Sequence, residues 1–252
     1  MTATDAPPTG HIGQVRLRKE DARLVTGRTQ WTDNLQLTGT LHVAVVRSPV
    51  AHAKVGDVDV SAALEEPGVV AAFSGADLQD HWSGGLPCAW PVTEDMRSPV
   101  HLPLAVDEVR HMGDAVAVVV AETRAQAVDA AELVDVEYEP LPVVLDMEEA
   151  LADGAPLADT SLDSNECFVW PLENGDVDAA FDGAAHVISR RYVHQRLIPT
   201  AIEPRSVVVS PPREGREWTV WSATQVPHIL RLMLALTCDV PEHELRVIAP
   251  DV

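Results

Sequence analysis

The sequence predicts an α+β protein with structured regions on both sides of a long irregular connection. Residues 115–121 form a continuous apolar run, which is typical of a strand that is covered on both faces. A helical segment follows at residues 123–131, and residues 134–139 then alternate acidic and apolar side chains, as a strand with one exposed face does. Between residues 143 and 170 the composition loosens to acidic residues, Gly, Pro and Ser without a hydrophobic period. This stretch is therefore expected to connect two structured regions over the surface.

The first region begins after an N-terminal arm. Residues 1–15 are rich in Thr, Pro and Gly and show no hydrophobic period, so we predict a flexible arm there. Ordered structure is expected from about Arg16 onward, with Gly39 at the turn before the first strand. Runs of apolar or alternating residues predict strands at 41–47, 54–60, 69–73, 115–121 and 134–139.

Capping residues predict where the helices of this region begin and end. Ser61 is expected to cap a short helix that Pro67 and Gly68 end. Thr123 and Gln126 stand at capping-box spacing, in which the hydroxyl accepts from a free helix N–H and the amide reaches back to the cap. The buried stripe of this second helix is predicted at Ala127, Val128 and Ala131.

The second region is predicted to combine strands with one longer helix at residues 227–237. Thr224 is a candidate cap for this helix, and Pro227 fits its first turn, where a missing N–H costs little. Trp218 and Trp221 are expected to enter the core from the strand before it. Strands are predicted at 184–197, 203–210, 218–223 and 245–249, with turns at 211–217 and 241–244.

Composition argues against several classes of function. A net charge of −21 makes nucleic-acid binding improbable, because neutralising phosphates needs a basic face. No run approaches the roughly 18 apolar residues of a membrane helix, and the N-terminus lacks a secretory pattern, so a cytoplasmic protein is expected. The cysteines, Cys88, Cys167 and Cys238, are odd in number and widely spaced, which argues against disulfides and favours buried free thiols.

Motifs for nucleotide binding, zinc-protease chemistry and serine-nucleophile chemistry are missing from the sequence. The histidines show no metal-ligand spacing, so neither a metal ligand nor a catalytic residue is assigned. One polar turn remains as a candidate site: Ser222, Thr224 and Gln225 follow a strand and precede a helix, where side chains and free helix N–H groups can meet a ligand. On local chemistry alone, a simple helix cap is the better interpretation of this turn.

Five phrases together resemble the molybdenum hydroxylases, the family of xanthine dehydrogenase, aldehyde oxidase and aerobic carbon monoxide dehydrogenase. The likeness is to the N-terminal part of the molybdopterin-binding large subunit, especially of the carbon monoxide dehydrogenase type, and covers about residues 16–252. The phrases, in order, are "RKEDARLVTGRTQWTDNLQLTGTLHVAVVRSPVAHAKV", "PGVVAAFSGADL", "GDAVAVVVAETRAQAVDAAELVDVEYEPLP", "QRLIPTAIEPRSVVV" and "WSATQVPHILRLML". This resemblance implies an a/b hammerhead domain at 16–142, a connecting segment at 143–170 and the start of the molybdenum-cofactor-binding domain at 171–252.

The resemblance also implies a site residue, cofactors and partners. The glutamine of the family's "TQ" turn approaches the molybdenum centre, which gives Gln225 a cofactor-binding role. The catalytic glutamate of the family, its glycine-rich loop after "IAPDV" and the cysteine loop of carbon monoxide dehydrogenases have no counterpart here. The molybdopterin cofactor would be shared with the remaining part of the molybdopterin-binding subunit, while FAD and iron–sulfur clusters would reside in a FAD-binding subunit and a 2Fe-2S subunit.

Two functions are compatible with these expectations. The chain can be the N-terminal portion or a split subunit of an enzyme that oxidises an aldehyde, a purine-like heterocycle or carbon monoxide with water as the oxygen source, and it is then expected to be inactive alone. Alternatively, it can be a non-catalytic interaction or assembly module, or a truncated remnant of such a subunit. In that case the strand "LRVIA" would be an unpaired edge prone to aggregation.

Overall fold

The computed structural model describes residues 13–87, 90–212 and 217–251, and these residues form an α+β fold, as predicted. Within them, nine strands are arranged in three sheets of three strands each. Most of the predicted N-terminal arm, the residue Cys88 and the centre of the predicted turn at 211–217 lie outside the described residues.

The first region contains two antiparallel sheets. The first sheet has the order β1-β5-β3 and the second has the order β4-β2-β6. Val116, Ala117, Val119 and Ala121 of the central strand of the first sheet are inaccessible to solvent, which confirms the prediction of a strand covered on both faces. The strands are β1 (His42–Arg47), β2 (Ala53–Asp59), β3 (Val69–Ser74), β4 (Glu108–Val109), β5 (Ala115–Ala121) and β6 (Asp135–Pro140).

The short α-helices of the first region are α1 (Asp21–Val25), α2 (Ser61–Leu64), α3 (Gly75–Leu78) and α4 (Arg124–Ala131). Helices α2, α3 and α4 pack on the first sheet, whereas α1 has no buried residue. Helix α4 packs on β1 and β5. Val119 packs with Ala63 of α2 and Ala130 of α4, while Val116 packs with Ala53 and Val109 of the second sheet. Strand β5 therefore contributes to both apolar clusters and joins the two sheets.

One predicted cap and one predicted capping box differ from the structure. Ser61 is the first residue of α2 and not its cap, because the Asp59 carboxylate accepts from the Ser61 N–H at 2.9 Å. Thr123 caps α4 as predicted, accepting from the Gln126 N–H at 3.3 Å, but the Gln126 amide donates to the Pro67 carbonyl at 3.0 Å. The amide oxygen of Gln126 accepts from the Thr123 hydroxyl at 2.7 Å and not from the Thr123 backbone N–H, so the second bond of the capping box is missing.

The predicted buried stripe of α4 is also partly wrong. Ala127 and Ala130 are buried, whereas Val128 is 46% exposed. The two alanines lie three residues apart and share one face of the helix, and their small side chains let α4 approach the sheet closely.

The second region forms a mixed sheet of order β7-β8-β9. The strands are β7 (Val207–Ser210), β8 (Trp218–Ser222) and β9 (Leu245–Ile248), and two helices are present, α5 (Val177–Asp182) and α6 (Pro227–Cys238). Strand β7 is antiparallel to β8, and β8 is parallel to β9 through α6. Val220 is the buried residue of β8, and Trp218 and Trp221 are half-buried.

The strand predicted at 184–197 is wrong. This stretch forms no ladder, because neither β7 nor β9, the edges of the sheet, pairs with it within the described residues. Its apolar pattern is that of a strand, but a strand needs a hydrogen-bonded neighbour to form. Its side chains are exposed throughout.

The two regions meet at both ends of the β8–α6–β9 unit. Ser83 of the first region donates its backbone N–H to Thr237 at 2.9 Å and its hydroxyl to Leu236 at 2.6 Å. These acceptors are carbonyls of the last turn of α6, which have no partner inside the helix. At the opposite end of the unit, Asp251 contacts Arg23 and Gln30. No helix within the described ranges has the length and apolar character needed to cross a bilayer.

Substitution of Gly75 should test the close packing of α3 against the chain before β5. A side-chain Cβ at Gly75 would overlap the backbone carbonyl of Ala105, so Gly75→Ala should lower the free energy of unfolding by about 1–3 kcal/mol. Gly84→Ala is the matched control, because its Cβ would lie 3.5 Å from the nearest atom, an ordinary contact. Urea unfolding followed by circular dichroism measures both, and equal stabilities for the two variants would contradict this packing.

Candidate functional site

The carboxyl ends of β8 and β9 form the edge where a ligand site is best placed. Residue pairs from Trp218–Leu245 to Trp221–Ile248 run in the same direction, so residues 222–225 and 249–251 leave the sheet at the same end. Helix α6 begins at this end as well. Ligands of sheets with parallel strands bind outside the carboxyl ends of the strands. We call residues 222–225 and 249–251 the carboxyl-end edge.

Gln225 lies on the turn between β8 and α6, as the sequence predicts. It is exposed, and its side-chain amide makes no hydrogen bond to the described residues. Thr224 fixes the turn, since its N–H donates to the Ser222 carbonyl at 2.9 Å and its hydroxyl accepts from the Val226 N–H at 3.2 Å. Thr224 is therefore not the cap of α6, whose N-cap position is Val226, while Pro227 occupies the first turn as predicted.

A polar residue that the sequence did not single out, Ser206, borders the same edge. The Ser206 carbonyl accepts from the Ala223 N–H at 3.2 Å, so the chain entering β7 lies beside the Gln225 turn. The Ser206 hydroxyl and one carboxylate oxygen of Glu203 are shielded from solvent and have no partner among the described residues. Buried polar atoms are normally hydrogen-bonded, so these two atoms fit a site that receives polar groups of a ligand. The antiparallel pairing of β7 with β8 brings Ser206 there, and Glu203 lies three residues before it in the chain.

A buried ionic cluster lies elsewhere, where the connecting segment meets the first region. Its members, His52, Glu108, Arg110 and Asp159, come from three separate stretches of the chain. The His52 ring contacts the Pro142 carbonyl at 2.7 Å through Nδ1 and the Glu108 carboxylate at 2.9 Å through Nε2.

Arg110 links this cluster to the connecting segment. It forms an ion pair with Asp159, and Thr160 donates its backbone N–H to Glu108 at 3.2 Å. Burial acts to raise the pKa of Glu108, but hydrogen bonds from Thr160 and His52 outweigh burial and hold the pKa below its usual value. Burial likewise acts to raise the pKa of Asp159, and bonds from Ser161 and Arg110 lower it overall. The cluster is a structural attachment, because every member is paired within the protein.

The described residues offer little else for metal or thiol chemistry. No group of three or more His, Cys, Asp or Glu side chains within them is arranged to hold a metal ion. Cys167 and Cys238 are free, but both are exposed, so the prediction of buried thiols is wrong for these two. Cys167 lies on the connecting segment, where its thiol contacts the Arg97 carbonyl at 3.2 Å, and Cys238 is the last residue of α6.

Removing the charge of Glu108 should loosen the attachment of the connecting segment. Glu108→Gln leaves His52 and Arg110 without their carboxylate, which should lower the free energy of unfolding by about 1.5–3 kcal/mol at pH 7. Glu139→Gln, an exposed residue of β6, is the control. Urea denaturation measures both, and a loss no larger than that of the control would show that the cluster does not stabilise the fold.

The same carboxylates should make the stability fall in acid. The folded pKa values of Glu108 and Asp159 lie below their usual values of 4.5 and 3.8, so both groups stabilise the protein fully above those values. This stabilisation is lost as the pH falls through the folded pKa values. Denaturation curves between pH 7 and pH 3 should show this loss, and Glu108→Gln should have a shallower dependence; parallel curves for the two proteins would contradict it.

Comparison with known proteins places these features in a family. Residues 26–142 match the aldehyde oxidase and xanthine dehydrogenase a/b hammerhead domain, and residues 160–252 match the molybdopterin cofactor-binding domain. The large subunit of nicotine 6-hydroxylase from Paenarthrobacter nicotinovorans is 38% identical over 95% of this chain. The carbon monoxide dehydrogenase large chain of Afipia carboxidovorans is 34% identical over 96% of it. This chain spans 29% and 30% of the length of these relatives.

The fold agrees with this likeness. Quinoline 2-oxidoreductase from Pseudomonas putida 86 superimposes with a TM-score of 0.88 at 37% identity, over 95% of this chain and 30% of that one. The architecture is therefore an a/b hammerhead domain followed by the start of a molybdenum-cofactor-binding domain. The chain belongs to the molybdenum hydroxylase family and corresponds to the N-terminal part of its molybdopterin-binding large subunits.

Proposed function

We propose that this chain is the N-terminal portion, or a split subunit, of a molybdenum-dependent hydroxylase or dehydrogenase large subunit. The assembled enzyme would oxidise an aldehyde, a purine-like heterocycle or carbon monoxide with oxygen from water. The observation that carries this proposal is the carboxyl-end edge, where an unpaired Gln225 amide stands at the start of α6 in a sequence matched to the molybdopterin cofactor-binding domain. Because the chain spans about 30% of its relatives, the activity belongs to the assembled protein.

The residues at this edge fit a polar cofactor. The Gln225 amide can both donate and accept a hydrogen bond, and the shielded oxygens of Glu203 and Ser206 offer further partners. A molybdopterin cofactor, when bound, supplies the two-electron redox chemistry. We assign Gln225 to orient a polar group of that cofactor, a role in which an amide on a fixed turn is effective. FAD and iron–sulfur clusters are assigned to separate partner subunits, and the assembly to the cytoplasm.

An exposed apolar stretch of the second region supports the proposal that a further part of the subunit packs against this chain. Residues 187–202 carry seven large apolar side chains that are each at least 60% exposed, and the stretch has no neighbouring strand among the described residues. Contiguous exposed apolar surface of this kind marks an interaction site. We infer that the remaining part of the molybdopterin-binding subunit covers it. The apolar residues are Val187, Ile188, Tyr192, Val193, Leu197, Ile198 and Ile202.

The same exposed stretch also fits the second candidate function, a non-catalytic assembly module. In both cases a partner covers residues 187–202, but only the enzyme requires a cofactor at the carboxyl-end edge. Limited proteolysis of the full chain tests how far the second region folds by itself. If residues beyond about Val143 are digested rapidly while the first region survives, the second region depends on a partner for its fold.

Purification from the native cell should separate the two functions. The tagged full chain should bring down a longer polypeptide, together with molybdenum, iron and flavin, measured by elemental analysis and visible absorption. A lone colourless protein would contradict the enzyme assignment. A partner polypeptide without metal or flavin would favour the assembly module.

Gln225→Ala should test the assigned role of the amide in the assembled enzyme. Turnover should fall by about 10- to 100-fold, because the amide would orient the cofactor and would not support the fold. The complex should elute unchanged in size-exclusion chromatography, since Gln225 is exposed and makes no side-chain hydrogen bond within the described part of the chain. Gln79→Ala, an exposed glutamine of the first region, is the control. Equal turnover in both variants would remove Gln225 from the site.

A further inference from the structure

Asp251 connects the carboxyl-end edge to a segment more than two hundred residues earlier in the chain. It follows β9, and its side chain is only 10% exposed. One carboxylate oxygen pairs with the Arg23 guanidinium, and the other accepts from the Gln30 N–H at 2.9 Å. The Asp251 N–H donates to the Gln30 carbonyl at 3.1 Å. The end of β9 is therefore held at three points by residues of the first region.

The N-terminal segment that makes these contacts also reaches β7, the opposite outer strand of the sheet. Residues 32–34 form a 3-10 turn that packs against β7, and Thr32 is completely buried there. Residues 23–34 thus touch both outer strands of the third sheet, at β7 and at the exit of β9. Strand β8 and the Gln225 turn lie between them.

The energetics favour a defined geometry at Asp251. A charge-assisted hydrogen bond to a nearly buried carboxylate is stronger than an exposed ion pair, because solvent screens it less. Pro250 precedes Asp251 and fixes its own φ, which restricts the directions in which the chain can leave β9. The Arg23 guanidinium also compensates the negative charge of Asp251 in a protein whose net charge is −21.

We propose that Arg23 and Gln30 are positioning residues of the carboxyl-end edge. The Arg23–Asp251 ion pair and the backbone pairing with Gln30 fix the exit of β9 beside the Gln225 turn. The N-terminal segment is then one wall of the cofactor-facing site, and not only a part of the hammerhead domain. That this site faces a cofactor rests on the proposed function, whereas the positioning of the edge by Arg23 and Gln30 does not.

Amide hydrogen exchange on the full chain, followed by NMR, tests the positioning without any cofactor. Arg23→Met should accelerate exchange at the N–H groups of Gln30 and Asp251 by about five- to thirty-fold. It should also accelerate exchange at Thr224 and Val226 in the Gln225 turn. Arg28→Met, an exposed arginine of the same segment, is the control and should leave all four rates unchanged.

A second set of variants separates the ion pair from a general loss of structure. Asp251→Asn should resemble Arg23→Met, and the double variant should be no worse than either single variant, because both remove the same interaction. Arg23→Lys should restore part of the protection by keeping the positive charge. Additive effects of Arg23→Met and Asp251→Asn would overturn the ion pair, and unchanged exchange in the Gln225 turn would overturn its role in positioning the site.

The molybdenum content of the complex purified from the native cell tests whether this positioning affects cofactor binding. Arg23→Met should lower the molybdenum content per chain relative to Arg28→Met, measured by elemental analysis. If molybdenum is retained fully while exchange accelerates, the N-terminal segment is not a wall of the site. If no protein, including the unaltered chain, carries molybdenum, the proposed function fails, and the exchange data still decide whether Arg23 positions the edge.

Discussion

The parallel pairing of β8 with β9 determines which residues of the second region meet at the carboxyl-end edge. Two neighbouring strands can run parallel only if the chain returns across the sheet, and α6 makes that return. As a result, the Gln225 turn, the start of α6 and the exit of β9 are brought to one edge. The chain entering β7 adds Ser206 to the same edge, because β7 enters the sheet where β8 leaves it.

The first region supports this unit from both ends. Ser83 satisfies carbonyls at the end of α6, and the segment containing Arg23 and Gln30 holds Asp251 after β9. These contacts are polar and lie at the ends of elements, where backbone groups lack partners inside the helix or strand. The first region thus contacts both ends of the unit that carries the candidate site.

Ion pairs and hydrogen bonds to buried carboxylates, and not apolar packing, hold the connecting segment against the first region. Between residues 143 and 170 few side chains are buried, but Asp159 and Thr160 join the buried ionic cluster of His52, Glu108 and Arg110. Burying these charges costs desolvation free energy, and the loss of one partner leaves a buried charge unpaired. The segment is therefore held in the one arrangement that pairs all of them. By contrast, residues 187–202 have neither buried charge nor apolar cover, and their conformation depends on what packs against them.

The sequence by itself determined the order of the elements, most strand positions, the α+β class and the Gln225 turn, because periodicity and turn residues act over a few neighbours. It failed where partners come from distant parts of the chain. The Gln126 amide donates to the Pro67 carbonyl, and the stretch 184–197 has no neighbouring strand within the described residues. The pairing of Arg23 with Asp251 and the unpaired atoms of Glu203 and Ser206 were likewise decided by tertiary structure alone. Local sequence patterns specify which residues form strands or helices. Only the folded chain decides which polar groups pair with each other and which remain available to a ligand.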